Sequence, residues 1–323
     1  MTWRPRSPKA RPWFGSARTY SAAAAGDFGG SRRVYWPTDF PASTIQRAGS
    51  VNTPHIAFIG AGNMACSIVG GLIESGHPAS LISASDPYPA SLERLRELAP
   101  VNACADNAAA AANADVVIMA VKPQVMADAT NSIARAVRAR RALVISIAAG
   151  VTITSMQARL GPQAAIVRCM PNTPALIGCG ASALFANERV SAQQRQQAEA
   201  ILAAVGITCW VPEESSLDAI TALSGSGPAY FFLFMEAMID SACTLGLDRQ
   251  TATAMTLQTA LGSARMALES DVDLVELRRR VTSPGGTTER AIKCFEEKGL
   301  RDLVADALGA AAARAADMAR EMG

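Results

Sequence analysis

From His55 onward, short uninterrupted apolar runs alternate with segments whose apolar residues recur every three or four positions. That rhythm predicts strands buried on both faces, each followed by a helix that covers the sheet. The predicted strands are Ile56–Ile59, Leu81–Ala84, Val116–Val121, Ala142–Ile147, Ala165–Cys169 and Ile207–Val211. The helices among them fall on Met64–Glu74, around Leu92–Leu98, around Val125–Val137 and on Ala192–Ala204. Strand–helix alternation with short connections predicts an α/β fold built on a doubly wound parallel sheet.

After Glu213 the strand rhythm stops, and helices are expected over about 215–224, 227–246, 248–269, 271–281, 285–297 and 300–321. The long middle helices are rich in Ala, Leu and Met and poor in charge, an apolar excess that one helical layer cannot hide. Burial against a partner subunit is the physical solution. The expected division is an N-terminal extension over 1–52, a nucleotide-type domain over 53–212 and a helical domain over 213–323.

Composition narrows the classes. Residues 1–52 hold eight of the 30 Lys and Arg and two of the 28 Asp and Glu, so the remainder is mildly acidic. No basic face argues for nucleic acid. The extension mixes Arg, Pro, Ser and Gly and reads as disordered. It is either a transit peptide or a flexible or over-extended start. The most apolar run, Ala229–Leu247, is broken by Glu236 and Asp240 and reads as a buried helix, not a membrane span. Seven scattered cysteines without a CxxC pair fit a reduced, cytoplasmic protein. Only His55 and His77 exist, which argues against a histidine-ligated metal and against a Ser-His triad.

Two glycine-rich turns carry the candidate chemistry. Gly60-Ala61-Gly62-Asn63-Met64-Ala65 follows a strand and opens a helix, the context of a dinucleotide fingerprint. Gly60 permits the tight turn, Gly62 lets a pyrophosphate approach the helix N-terminus, and Ala65 keeps helix and sheet close. Asp86 ends the next strand. It either accepts ribose hydroxyls and repels a 2′-phosphate, favouring NADH over NADPH, or makes an Asx turn before Pro87. No arginine cluster lies near it in sequence to bind a phosphate instead. Pro123 ends the strand Val116–Val121, and Lys122 is either a cation near the cofactor or a solvated loop charge. Ile147-Ala148-Ala149-Gly150 leaves its strand with the small residues that a planar nicotinamide needs. Asn172 follows a strand and is placed to reach the cofactor; Ser224 and Ser226 mark a bend, or cap a helix. The second turn, Thr282-Ser283-Pro284-Gly285-Gly286-Thr287-Thr288, offers backbone donors and hydroxyls at a helix start, a site for a small carboxylate.

Six segments, IGAGNMA, AVKP, SIAAGVTI, VRCMPNTPA, ALSGSGPAY and VTSPGGTTERAI, occur in this order over about residues 54–320. In them the chain resembles the pyrroline-5-carboxylate reductases. The first segment is generic to dinucleotide enzymes; the last two are specific to that family. The resemblance implies a Rossmann-type N-terminal domain and an all-helical dimerisation domain that interleaves with its copy, in homodimers that often assemble into decamers. It implies reduction of 1-pyrroline-5-carboxylate to L-proline by NADPH or NADH, the last step of proline biosynthesis. By position, Ala61, Gly62, Asn63 and Met64 would lie on the cofactor and Asn107 near its adenosine. Ala120, Val121, Lys122 and the Ala148–Ala149 turn would flank the nicotinamide. Ser283–Thr288 would hold the substrate, with N–H groups of Gly286 and Thr287 on its carboxylate and Thr288 near the ring nitrogen; Glu214 matches a substrate-side position. Asp86 departs from the serine or other neutral residue of many NADPH-preferring members, and the extension is not needed by the fold.

No histidine lies in these motifs. A protonated cyclic imine is already electrophilic, so alignment of cofactor and substrate suffices for hydride transfer. A β-hydroxyacid dehydrogenase also pairs such domains, but needs a basic lysine on the second-domain helix, and Ser226–Leu245 contains none. A dinucleotide-sensing dimer without catalysis would have no use for the 282–288 loop.

Overall fold

The computed structural model describes residues 53–322. The expectations for the N-terminal extension lie outside the described residues. From its start the chain runs β1 (Ile56–Ile59), α1 (Asn63–Glu74), β2 (Ile82–Ser85), α2 (Pro89–Leu98), β3 (Asn102–Ala103), α3 (Asn107–Ala111) and β4 (Val116–Met119). It continues through α4 (Met126–Arg140), β5 (Leu143–Ser146), α5 (Ile153–Leu160), β6 (Ile166–Met170), β7 (Gly180–Ala186), α6 (Ala192–Ala203) and β8 (Gly206–Trp210). Helices α7 (Ser216–Ile220), α8 (Gly227–Thr244), α9 (Arg249–Glu269), α10 (Leu274–Arg280), α11 (Thr287–Glu297) and α12 (Leu300–Met322) complete it.

All eight strands form one sheet in the order β3-β2-β1-β4-β5-β6-β7-β8. Pairing is parallel except between β6 and β7, so the sheet is mostly, not wholly, parallel. Successive residues of β1 feed opposite layers. Ile56 and Phe58 pack with α1 and α6 residues such as Ile68 and Leu202, while Ala57 and Ile59 pack with α4 and α5 residues such as Ile133 and Met156. A strand covered on both sides has no polar face to show, which is why these strands read as unbroken apolar runs.

The helices after β8 are different. On α8, Phe231 is 71% exposed and Phe232 63%, and among the described α8 residues only Gly227 is buried. Leu257, Leu261, Leu268, Val275 and Leu303 on the following helices are exposed as well. So many exposed large apolar side chains are more than an isolated soluble domain leaves to water. No helix among the described residues is long and apolar enough to cross a membrane.

Neither Ser224 nor Ser226 caps a helix with its side chain. Residues Thr221–Gly225 form a π-helical turn that leads from α7 toward α8, Ser224 donates back to the Ile220 carbonyl, and Ser226 makes no side-chain cap.

Candidate active site

The strand order reverses between β1 and β4, which opens a crevice beyond the carboxyl ends of the two strands. β1 delivers the turn Gly60–Ala65 to that crevice and β4 delivers Ala120–Pro123. The two loops touch. Gly60 has φ of +98°, and a Cβ there would lie 2.6 Å from the Ala120 carbonyl oxygen, so no other residue fits without displacing β4's exit. Gly62 is the opposite case: nothing lies within 4 Å of the place a Cβ would take. It caps α1 without a side-chain hydrogen bond, and no acid stands in that helix's first turn. Among the described residues the N–H groups of Gly62, Asn63 and Met64 meet no acceptor. Open donors at a helix start, with space before them, fit the pyrophosphate of a dinucleotide.

Ala61, the second residue of the turn, keeps its backbone polar groups within the fold. It is fully buried; its N–H donates to Asp86 Oδ2 at 2.8 Å and its carbonyl accepts from Arg94 Nη2 at 3.2 Å. Its polar groups thus hold the turn in shape from behind. Ala65 is fully buried in the layer between α1 and the sheet.

Asp86 makes the Asx turn as well, Oδ1 accepting the Tyr88 N–H at 2.9 Å. Among the described residues no arginine cluster stands beside it, but a single arginine, Arg94, reaches the turn from α2, brought there by the fold and not by a motif. Asn107 stands at the start of α3, beside the end of β2. It accepts from the Ser85 hydroxyl at 2.7 Å and donates to Ser132 at 3.0 Å.

Along the rest of the crevice, Ala120 and Val121 are half-buried, Lys122 is exposed, and Pro123 opens a short 3-10 turn. After β5, Ala148 is buried and Ala149 half-buried. The Ile147 N–H donates to the Met119 carbonyl at 3.2 Å, which ties the two loops side by side. Asn172 spends both ends of its amide elsewhere, accepting from the Ala181 N–H at 2.9 Å and donating to the Ser224 carbonyl at 3.1 Å.

Glu214 lies at the junction of sheet and helices. Its Oε1 accepts from Arg168 of β6 at 2.6 Å and from the Ile153 N–H at the start of α5 at 2.8 Å. The Arg168 side chain is only 7% exposed, so this carboxylate neutralises a nearly buried cation. Burial pushes the neighbouring Asp218 carboxyl upward, against the opposing pull of Arg168.

The loop Ser283–Thr288 joins α10 to α11. The Gly285 N–H donates to Glu289 Oε2 at 2.7 Å and the Gly286 N–H to the Ser283 carbonyl at 3.0 Å. The Gly286 donor is therefore used within the turn. The open ones are those of Thr287 and Thr288, which meet no acceptor among the described residues. Ser283, Gly285 and Thr287 are exposed, Gly286 and Thr288 half-buried. Among the described residues no hydrogen bond joins this loop to the glycine turn of the same chain. Sequence reasoning missed Arg94, Arg168 and Glu289. Only Glu289, four residues after Gly285, carried a local signal.

A dinucleotide cradle at the strand-order reversal, with a helical domain that carries open backbone donors, defines a two-domain NAD(P)-dependent oxidoreductase. Comparison with known proteins agrees. Residues 55–150 match the model described as NADP oxidoreductase, coenzyme F420-dependent, and residues 214–318 match the model for pyrroline-5-carboxylate reductase dimerisation. A pyrroline-5-carboxylate reductase of Pseudomonas aeruginosa is 52% identical over 273 residues, covering 84% of this chain and 100% of that one. One from Vibrio alginolyticus is 44% identical, covering 81% of this chain and 97% of its own. The structure of a Coxiella burnetii pyrroline-5-carboxylate reductase superposes with a TM-score of 0.80 at 47% identity, over 83% of this chain and 99% of that one. That of a Plasmodium falciparum pyrroline carboxylate reductase with NADP bound gives 0.74 at 28% identity, over 84% and 100%. The chain belongs to the pyrroline-5-carboxylate reductase family.

Proposed function

We propose that this chain reduces 1-pyrroline-5-carboxylate to L-proline with NADPH or NADH, the last step of proline biosynthesis. The observation that carries the reading is the pair of open donor sets, one at Gly62–Met64 and one at Thr287–Thr288, in a chain of this family. The dinucleotide supplies the hydride. Asn63, Met64 and Gly62 hold its pyrophosphate, and Gly60 and Ala65 fix the turn that presents them. Asp86 and Asn107 mark the adenosine end. Ala120, Val121, Lys122, Pro123, Ala148 and Ala149 line the nicotinamide end.

The N–H groups of Thr287 and Thr288 take the substrate carboxylate, within the loop set by Ser283, Gly285 and Gly286. The Thr288 hydroxyl orients the ring nitrogen. The imine carbon accepts the hydride, the C=N π pair moves onto the already protonated nitrogen, and a secondary amine results. Glu214 acts on the substrate side through the loop before α5, which it holds by the Ile153 N–H. No step demands a strong acid or base, and alignment supplies most of the acceleration.

The nucleotide domain spans 53–212 and the helical domain 213–323, a division supported by the last strand ending at Trp210 and the dimerisation match beginning at 214. The exposed apolar faces of α8 and α9 are buried in a homodimer. Because the substrate loop is open in the single chain, the loop of one chain meets the glycine turn of its partner there. Assembly of dimers into a decamer and residence in the cytoplasm complete the reading. The first rests on the resemblance, the second on seven unpaired cysteines. Steady-state oxidation of NADPH and NADH with pyrroline-5-carboxylate tests the assignment. Turnover with either supports it; a folded protein that binds dinucleotide without turnover contradicts it.

A further inference from the structure

At the adenosine end of the crevice two opposite charges flank one residue. Ala61 donates its N–H to Asp86 Oδ2 at 2.8 Å and accepts from Arg94 Nη2 at 3.2 Å. Asp86 also accepts the Tyr88 N–H at 2.9 Å, so two backbone donors meet its charge. Neither Asp86 nor Arg94 has an ion-pair partner among the described residues, which form their salt bridges elsewhere. Arg94 is exposed, and its one hydrogen bond goes to a neutral carbonyl. A guanidinium has five donors in a planar fork, so this one keeps its charge and most of its donors for another partner.

Its place says which partner. In doubly wound folds the adenosine ribose lies beside the acid that ends the second strand, and here that acid and Arg94 hold the N–H and the carbonyl of the same residue. An unphosphorylated ribose offers hydroxyls that Asp86 accepts. A 2′-phosphate brings about two negative charges, repelled by Asp86, and oxygens spaced for a guanidinium fork. We propose that Arg94 is the specificity residue that admits the 2′-phosphate, so that the chain uses NADPH in spite of the acid at the end of β2. Asp86 serves NADH and Arg94 serves NADPH. The inference rests on the dinucleotide reading of the glycine turn.

The test is calorimetric titration of the full chain with adenosine 2′,5′-bisphosphate and with ADP, two probes that both occupy the adenosine end and of which only the first carries a 2′-phosphate. Arg94→Ala weakens the bisphosphate about tenfold or more, the usual worth of a charge-assisted contact, and leaves ADP within about twofold. Arg94→Lys restores part of the loss, since charge returns without the fork. In the wild-type chain, added salt weakens NADPH binding more steeply than NADH binding. Equal weakening of both probes by Arg94→Ala overturns the proposal and leaves Arg94 as a brace of the turn. Unchanged bisphosphate affinity, or equal salt slopes in the wild type, overturns it too. Failure of the wild-type chain to bind either probe removes the dinucleotide site itself, and the proposal with it.

Discussion

At Gly62 a single side chain decides whether the crevice can take a dinucleotide. The residue has φ of −72° and open space where a Cβ would stand, so Gly62→Asp folds normally and places a carboxylate among the pyrophosphate donors. Like-charge contact of this kind costs several kcal/mol. The expected result is dinucleotide affinity reduced on the order of 100-fold with an unchanged melting temperature, read by titration and thermal denaturation. A second residue-level prediction concerns Thr288. Thr288→Ala lowers kcat/KM for pyrroline-5-carboxylate about ten- to a hundredfold, the loss of one or two oriented hydrogen bonds, and leaves dinucleotide affinity intact. Normal kcat/KM in that variant removes the residue's role. Residues of the glycine turn were legible in the sequence because backbone needs leave a local mark. Gly60 is required by contact with Ala120, and Ala65 by the packing of α1 on the sheet. The partners of Ala61 and Glu214 were not legible, because Asp86, Arg94, Arg168 and Ile153 reach them only through the folded sheet. The free donor at Thr287 was foreseen; the use of the Gly286 N–H within its own turn was not, because it depends on where the Ser283 carbonyl points.

Among the elements, α8 and α9 carry the strongest consequence. Phe231 and Phe232 are neighbours in sequence and both largely exposed, so a partner must approach α8 over more than one face. Phe232→Glu puts a charge into that interface and yields a monomer in light scattering, with activity lost alongside; a fully active dimer would contradict the interface. On α10, bonds from Arg279 and then Arg280 hold the Glu276 carboxyl down at about 2, below its usual 4.5. The folded value is depressed, so the stabilisation of this helix is complete above about pH 4.5 and fades as pH falls toward 2. A carbon-detected NMR titration of Glu276 midway near 4.5 would show the bonds absent in solution. The strands with unbroken branched runs, such as β1 and β4, were read from sequence within two residues. β7 was missed because Gly180-Ala181-Ser182-Ala183 is too small-featured to alternate, and β3, with two residues, is held only by its neighbour β2. The short helices α3 and α5 were passed over for the same want of length.

For the molecule as a whole, the central claim is that one reductase site is built from two chains, the glycine turn of one facing the 283–288 loop of the other. Both turns and the need for a partner were legible in the sequence, since turn chemistry and apolar excess are local properties. The sequence did not show that, among the described residues, no hydrogen bond joins the two halves within one chain, which is a matter of where α10 and α11 stand relative to the sheet. Co-expression of a Gly62→Asp chain with a Thr288→Ala chain tests this most directly. Each variant alone has both of its sites damaged, whereas random pairing makes half of the dimers mixed, and each mixed dimer holds one intact pair of turn and loop. The account predicts that the mixture oxidises NADPH with pyrroline-5-carboxylate at about a quarter of the wild-type rate, from two-fold symmetry and random pairing. A mixture no more active than the average of its two parents would contradict it.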